Sequence, residues 1–181
     1  MTPAARIAAA ADILDRVHAG ASAEQCLTAW GRRSRFAGSK DRAAVRDLVF
    51  DALRRKRSLA WLGGGETGRC LMIGRLRAAG EDPTTFFTGI GYAPLPLSGE
   101  EAAKPPVIAD APAPVRCDVP DWLWPRSVAS LGDNAEVVLM SLQSRAPLFL
   151  RVNETKVSRN GAIDALAAEG IGVKSARLSP T

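Results

Sequence analysis

Residues 39–62, SKDRAAVRDLVFDALRRKRSLAWL, constrain this chain more than any other stretch, because they are at once amphipathic and heavily charged. At about 100° per residue, Val45, Leu48, Val49, Ala52, Leu53, Leu59 and Ala60 fall in one arc, the apolar stripe with which a helix buries itself in a bundle. The pattern predicts one continuous helix, with Ser39 as its N-cap and Asp41 in the first turn, where the helix dipole favours an anion. Arg42, Arg46 and Arg57 line one flank of the stripe with Arg54 just beyond, whereas Asp47 and Asp51 gather on the other side. Signs sorted in this way predict a helix that holds a core on one face and offers cations on another.

Charge matters here for where it sits. The formal net charge is +5, yet residues 30–61 hold ten Lys/Arg against three Asp/Glu, a local +7, so the remainder sums to −2. Such clustering is the electrostatic footprint of phosphate binding, and nucleic acid is its commonest partner. The candidate contacts are Arg32, Arg33, Arg35, Lys40, Arg42, Arg46, Arg54 and Arg57, with Arg151 and Lys156 extending the set from the carboxyl-terminal part. A solvated face with local ion pairs, Asp51 to Arg55 for instance, is the competing account, but three anions leave most of the charge unpaired. Phe50 and Trp61 lie on the basic side, where aromatics can stack bases; burial of a central helix on two faces is the favoured account of both.

Around this stretch the chain reads as helical at first and mixed later. Thr2 as N-cap and Pro3 at the first position open a helix over residues 2–18, closed by Gly20. Ser22 and Gln25 form a capping-box pattern for a second helix to about Arg33. After Gly63-Gly64-Gly65 a fourth helix is expected from near Glu66 to Gly80, then a short piece at 83–88 and a capped turn from Ser98 to Glu101. The Pro/Ala-rich run 104–118 reads as a linker between an all-α domain, 1–103, and a second domain, 119–181. That second part predicts helices at 120–131 and 133–144, a strand from Leu148 to Asn153, a helix capped by Ser158, and a strand from Ile171 to Leu178. It is a β-α-β unit short of the strands a stable sheet needs, so the chain reads as truncated.

Catalytic signals are weak throughout. Gly63-Gly-Gly65-Glu-Thr-Gly68 spells a G-x-G-x-x-G fingerprint, but it follows a helix rather than a strand, and a helix-to-helix turn accounts for it better. Arg69-Cys70 stands where a P-loop needs Lys-Ser/Thr. His18, the one histidine, suits a helix C-terminus. Cys26 and Cys70 fall on predicted helices as small hydrophobes, and Cys117 falls in the linker, where exposure is one reading. Neither a zinc site nor a disulfide framework is expected, nor any membrane-spanning segment, and the expected home is the cytoplasm.

GSKDRAAVRDLVFDALRRKRSLAWL resembles the central helix of the NusB-like domain that opens the bacterial ribosomal RNA small-subunit methyltransferase B (Fmu/Sun) family. Further on, VPDWLWPRSVASLGDNAEVVLMSLQSRAPLFLRVNETKVSRNGAIDALAAEGI resembles the start of the methyltransferase portion, with its P-x-W-L helix, its R-x-P-L-x-L-R-V-N strand and its following helix. The resemblance implies a mainly α chain, a NusB-like bundle followed by an incomplete α+β, ferredoxin- or RNA-recognition-like unit. The family methylates carbon 5 of cytosine in small-subunit ribosomal RNA with S-adenosylmethionine, using one cysteine thiolate to attack the base and a second, in a Pro-Cys motif, to release it. Cys26, Cys70 and Cys117 match neither position. The resemblance therefore implies an RNA-binding amino-terminal region that positions ribosomal RNA for a catalytic domain elsewhere. No cofactor is expected in this chain, and S-adenosylmethionine is expected for the full-length enzyme. A NusB-like protein-interaction or transcription antitermination module is the alternative; under the former, the Val45–Leu53 stripe would be left exposed for a partner.

Overall fold

The computed structural model describes residues 1–103 and 106–176, and its described residues are mainly helical and include no strand. They form two compact units, Met1–Arg145 and Ala146–Thr181. The first unit begins with α1 (Pro3–His18), whose N-cap Thr2 accepts a hydrogen bond from the Ala5 amide at 3.2 Å, as its sequence predicts. Then come α2 (Ala23–Arg33), α3 (Ser39–Arg54), α4 (Lys56–Gly63) and α5 (Gly68–Ala78). Ser22 occupies the N-cap of α2 without a side-chain cap, and Gly38, not Ser39, is the N-cap of α3.

The core is one cluster built from Ile7, Ala10, Ile13 and Leu14 of α1, Val45, Val49 and Ala52 of α3, Leu59 of α4, and Leu71, Met72, Ile73 and Leu76 of α5. The apolar stripe is thus covered, with Val45, Val49 and Ala52 fully buried and Leu48 and Leu53 half-buried. Phe50 is half-buried against the same cluster, and the Trp61 indole donates to the Val107 carbonyl at 3.2 Å, so both aromatics serve the fold.

One expectation fails at the centre. Residues 39–62 form two helices, broken at Arg55 (φ −117°, ψ 32°). The cause lies far along the chain. Asp118 accepts hydrogen bonds from the Ser58 amide (2.8 Å) and the Ser58 hydroxyl (2.7 Å), capping the first turn of α4 from outside. Its backbone adopts φ +55°, a left-handed conformation that Asp tolerates better than most residues. Gln143 donates to the same carboxylate at 2.9 Å.

The G-x-G-x-x-G sequence joins α4 to α5, and helix packing accounts for its glycines. A Cβ on Gly63 would lie 1.9 Å from the Cys70 carbonyl oxygen, and one on Gly68 would lie 2.1 Å from the Ala11 carbonyl oxygen. Gly64, at φ +79°, is the left-handed C-cap of α4. Thr67 caps α5 through the Cys70 amide (3.2 Å), and the Gly68 amide donates to Asp15 at 2.6 Å. The amides that a phosphate-binding loop would turn toward phosphate are here held by protein oxygens, one of them a carboxylate.

Past α5, Pro83–Thr85 forms a 3-10 turn, and Ser98 and Glu101 close a reciprocal capping box, at 2.8 Å from the Ser98 amide and 3.2 Å from the Glu101 amide. Arg69 grips Glu101 with two nitrogens at 2.7 and 2.9 Å. Within the Pro/Ala-rich run, Lys104 and Pro105 lie outside the described residues; the rest holds a 3-10 turn, Ile108–Asp110, and the short α6 (Ala113–Arg116). Ala111 and Cys117 are buried there, so the one thiol read as exposed is 2% exposed. Burial pushes the Cys117 thiol pKa up, which keeps it protonated and inert. α7 (Trp124–Leu131) and α8 (Ala135–Ser141) follow, and Cys117, Val119 and Leu139 form a small second core with Leu123 and Trp124.

The second unit holds α9 (Arg159–Ala168), capped as expected by Ser158, whose hydroxyl accepts from the Gly161 amide at 3.2 Å. The two expected strands are not formed among the described residues; Arg177 and Leu178 fall outside them. In a split β-α-β arrangement the strands flanking the helix are not neighbours, so each needs a third strand between them to make its ladder. Residues 148–150, 152 and 172–176 instead line a cavity of about 390 Å³ beside Ala162, Ile163 and Leu166 of α9. Leu148, Phe149 and Leu150 remain exposed.

Candidate nucleic-acid interface

The cations named from the sequence separate into three groups. Arg32, Arg33, Arg35, Lys40 and Arg42 are exposed and lie within eleven consecutive residues, at the end of α2, the following turn and the start of α3. Among the described residues, Arg32, Arg33, Arg35 and Lys40 make no ion pair. Arg42 lies alongside Gly31, whose missing side chain leaves room for it at 3.8 Å, and its Nε donates to the Ala37 carbonyl at 3.0 Å. That bond fastens the α2–α3 turn while leaving the rest of the guanidinium available.

The second group has other work. Arg46 pairs with Glu24 and lies 5.9 Å from the centre of the Phe50 ring. Arg54 is about 18 Å from Arg42 along α3 and sits 3.8 Å from Asp51. Arg57, beyond the helix break, donates to the Val119 carbonyl and to Asp121 at 2.8 Å, tying α4 to the stretch that follows α6. The continuous helix drawn from the sequence put Arg57 in line with Arg42 and Arg46; the break at Arg55 takes it out of that line. The third group, Arg151 and Lys156, is exposed on the second unit.

Acidic residues explain why the first group stays positive. Asp41, at the head of α3, accepts from the N-terminal ammonium (3.1 Å) and from Arg6 Nε (2.9 Å), and both bonds hold its carboxyl below the usual range. Asp51 accepts from Arg55 at 3.1 Å, and Asp47 faces Arg145 at 3.5 Å. All three acids of the patch are engaged, chiefly by cations outside residues 32–42. An open groove of about 590 Å³ runs between α2 and α3, lined by Arg32, Arg42 and Arg46 with Trp30 and Leu27. Its wall is mostly apolar, its charge comes from those arginines with Glu24 paired to Arg46, and no thiolate lines it. No group of three or more His, Cys, Asp or Glu among the described residues is placed to hold a metal, and no helix there is long and apolar enough to cross a membrane.

Phe50 and Trp61 are the aromatics that helical phase sets near the cations, yet Phe36 and Tyr92 are the ones left open, 69% and 84% exposed. Phe36 could have been found, since it directly follows Arg35 in the turn R-S-R-F-A-G. Tyr92 could not, because only the fold brings residue 92 beside residue 36.

The described residues are mainly helical, with a polybasic edge at residues 32–42. Residues 119–181 match the family model for the RsmF/B-like methyltransferase ferredoxin-like domain. The match is confined to those residues, which are similar to that domain, in line with the Fmu/Sun-type resemblance of the sequence. The match starts at Val119, so the bundle ahead of it is consistent with a NusB-like domain without being matched to one. No curated protein and no solved structure matches the chain.

Proposed function

We propose that this chain is the RNA-gripping region of an S-adenosylmethionine-dependent ribosomal RNA cytosine-C5 methyltransferase, holding small-subunit RNA for a catalytic centre outside residues 1–181. The observation that carries the reading is the exposed, unpaired group Arg32, Arg33, Arg35 and Lys40, whose neighbouring acid, Asp41, is already neutralised. A patch kept positive while its own helix supplies acids is suited to an anionic polymer. The similarity of residues 119–181 to a domain of RsmF/B-like methyltransferases favours RNA as that polymer. Arg42 shapes the grip, Arg46 and Arg54 lie at its margin, and Arg57 holds the fold. Arg151 and Lys156 add phosphate contacts from the second unit. These contacts position RNA and carry no base preference by themselves. The domain scheme behind this reading is a NusB-like 1–103, a connecting 104–118 and an RNA-recognition-like 119–181, acting in the cytoplasm. A NusB-like protein-docking module gains no support from the Val45–Leu53 stripe, which the bundle covers.

The test is RNA affinity against salt. Reversing Arg32, Arg33 and Arg35 to Glu should weaken binding of a ribosomal RNA fragment and flatten the log–log salt slope by roughly 0.7 per lost phosphate contact. An unchanged slope in that triple variant would remove the assignment.

A further inference from the structure

The Phe36 and Tyr92 rings stack with centroids 6.4 Å apart and planes inclined by 19°, out in solvent. Aromatic side chains of this size are ordinarily spent on burial, and two of them left open beside each other have a structural origin worth tracing. Each sits at the third position of a tight turn. In the first, the Ala37 amide donates to the Ser34 carbonyl at 2.9 Å, with Ser34 and Ala37 buried at its two ends. The central residues, Arg35 and Phe36, are forced outward together. Arg42 secures this turn through the Ala37 carbonyl. In the second, the Ala93 amide donates to the Ile90 carbonyl at 3.1 Å, and Gly91 supplies the positive φ of +62° that the turn needs. A further bond, from the Gly89 amide to the Pro94 carbonyl at 2.8 Å, closes the base of that loop. Two independently braced turns therefore deliver their aromatic residues to one place on the surface.

We infer that the Phe36–Tyr92 pair is a stacking platform for an unpaired nucleobase of RNA, with Arg35 of the same turn taking the adjoining phosphate. This rests on the phosphate-gripping role of residues 32–42. The rings cover only one face of each other, so an outer π-face stays open to a base. Cations before and after Phe36 in the chain supply the charge that brings a polyanion to it, while a protein partner would have to bury Arg32, Arg33, Arg35 and Lys40 against acids of its own. Stacking tolerates any base, so the platform selects unpaired over paired RNA and leaves sequence open.

The experiment compares wild type, the double variant F36A/Y92A and the charge variant R32E/R33E/R35E. Fluorescence anisotropy would follow a short unstructured RNA, the same RNA with abasic sites, and its duplex. Both aromatic side chains are exposed, and circular dichroism melts should confirm that F36A/Y92A folds as wild type does. Expected is a loss of about tenfold to a hundredfold in single-strand affinity for F36A/Y92A, with the salt slope unchanged and duplex affinity little altered. The abasic RNA should bind both proteins alike. If F36A/Y92A binds the single strand as wild type does while the charge variant is impaired, the platform is overturned and the phosphate grip stands; the pair then belongs to a protein contact or to none. If wild type binds none of the RNAs, the grip itself fails and the platform with it.

Discussion

Replacing Gly74 by Ala tests whether the glycines of this bundle are there for backbone contact. A Cβ at Gly74 would fall 2.0 Å from the Leu59 carbonyl oxygen, and ordinary contact begins at 3.4 Å, so α4 and α5 would have to part by about 1.4 Å. The obstruction is backbone on both sides, which no rotamer change relieves. Overpacking of this kind costs about 1–3 kcal/mol, and the separation also loosens the contacts of Leu59, Leu71 and Met72. Alanine returns up to about 1 kcal/mol through its better helix propensity. The net expectation is about 2 kcal/mol of destabilisation, or roughly 4–8 °C in Tm for a unit of this size. Urea and thermal melts followed by circular dichroism would read it, with Gly99→Ala, where a Cβ meets open space, as control. Gly63 and Gly74 face each other across the same seam, each prospective Cβ 3.0 Å from the other's amide nitrogen. Once one substitution has parted the helices, the second should cost less, giving a double variant milder than the sum. A Gly74→Ala protein as stable as the Gly99→Ala control would refute the close-approach reasoning. It would also reopen the question of why G-x-G-x-x-G stands at this corner.

Three further outcomes follow from the same geometry. Asp118→Ala should cost about 1–2 kcal/mol by uncapping α4, and Asp118→Asn should recover much of it, since Asn keeps an acceptor and tolerates φ +55°; denaturant melts decide. Acid should act in opposite senses on two carboxyls. Glu101 is brought down from 4.5 to about 2, mainly by Arg69, so its contribution is complete above pH 4.5 and is lost as pH falls toward 2, by at most about 3 kcal/mol, and Glu101→Gln should flatten the loss. Burial raises Asp118 above 3.8, so its ionised form is a cost that appears as pH rises past 3.8 and recedes in acid, a trend that Asp118→Asn should abolish in pH-dependent melts. Finally, Arg57→Ala should lower stability with little change in RNA affinity, and Arg33→Ala should do the reverse; equal RNA losses in both would return Arg57 to the interface.

How much of this was legible in the chain depended on how locally each feature is determined. Thr2, Ser158 and the Ser98–Glu101 box were readable because a cap is decided within four residues. The stripe Val45, Val49 and Ala52 was readable because periodicity carries it. The break at Arg55 was not, for nothing in RRKRS interrupts a helix; Asp118 supplies the cap from sixty residues away. The same distance effect governs the cations. The phase of one continuous helix put Arg57 on the same flank as Arg42, but a partner near residue 120 claims it, whereas the ion pairs that neutralise Asp41 come from Met1 and Arg6. The strands of the second unit were legible as pattern and still do not form among the described residues, because a ladder needs a neighbour as well as a propensity.

The break and the patch are connected. Were residues 39–62 one straight helix, Arg57 would continue the basic flank, and its charge would be spread over nearly the full length of the bundle. Breaking at Arg55 lets two neighbouring residues of α4 donate to the segment after α6: Ser58 to Asp118, and Arg57 to Val119 and Asp121. The segment at which the methyltransferase-family match begins, Val119, is therefore fastened to the bundle by residues of the former central helix. What remains unpaired is concentrated in residues 32–40, at the opposite end of α3 and about 20 Å from the break. Residues 30–61 thus divide their cations: Arg32, Arg33, Arg35 and Lys40 make no ion pair among the described residues, Arg46, Arg54, Arg55 and Lys56 pair with acids, and Arg57 holds the next segment. Sign-sorting along a helix indicated that the arginines had a purpose, but only the tertiary partners tell which purpose belongs to which arginine.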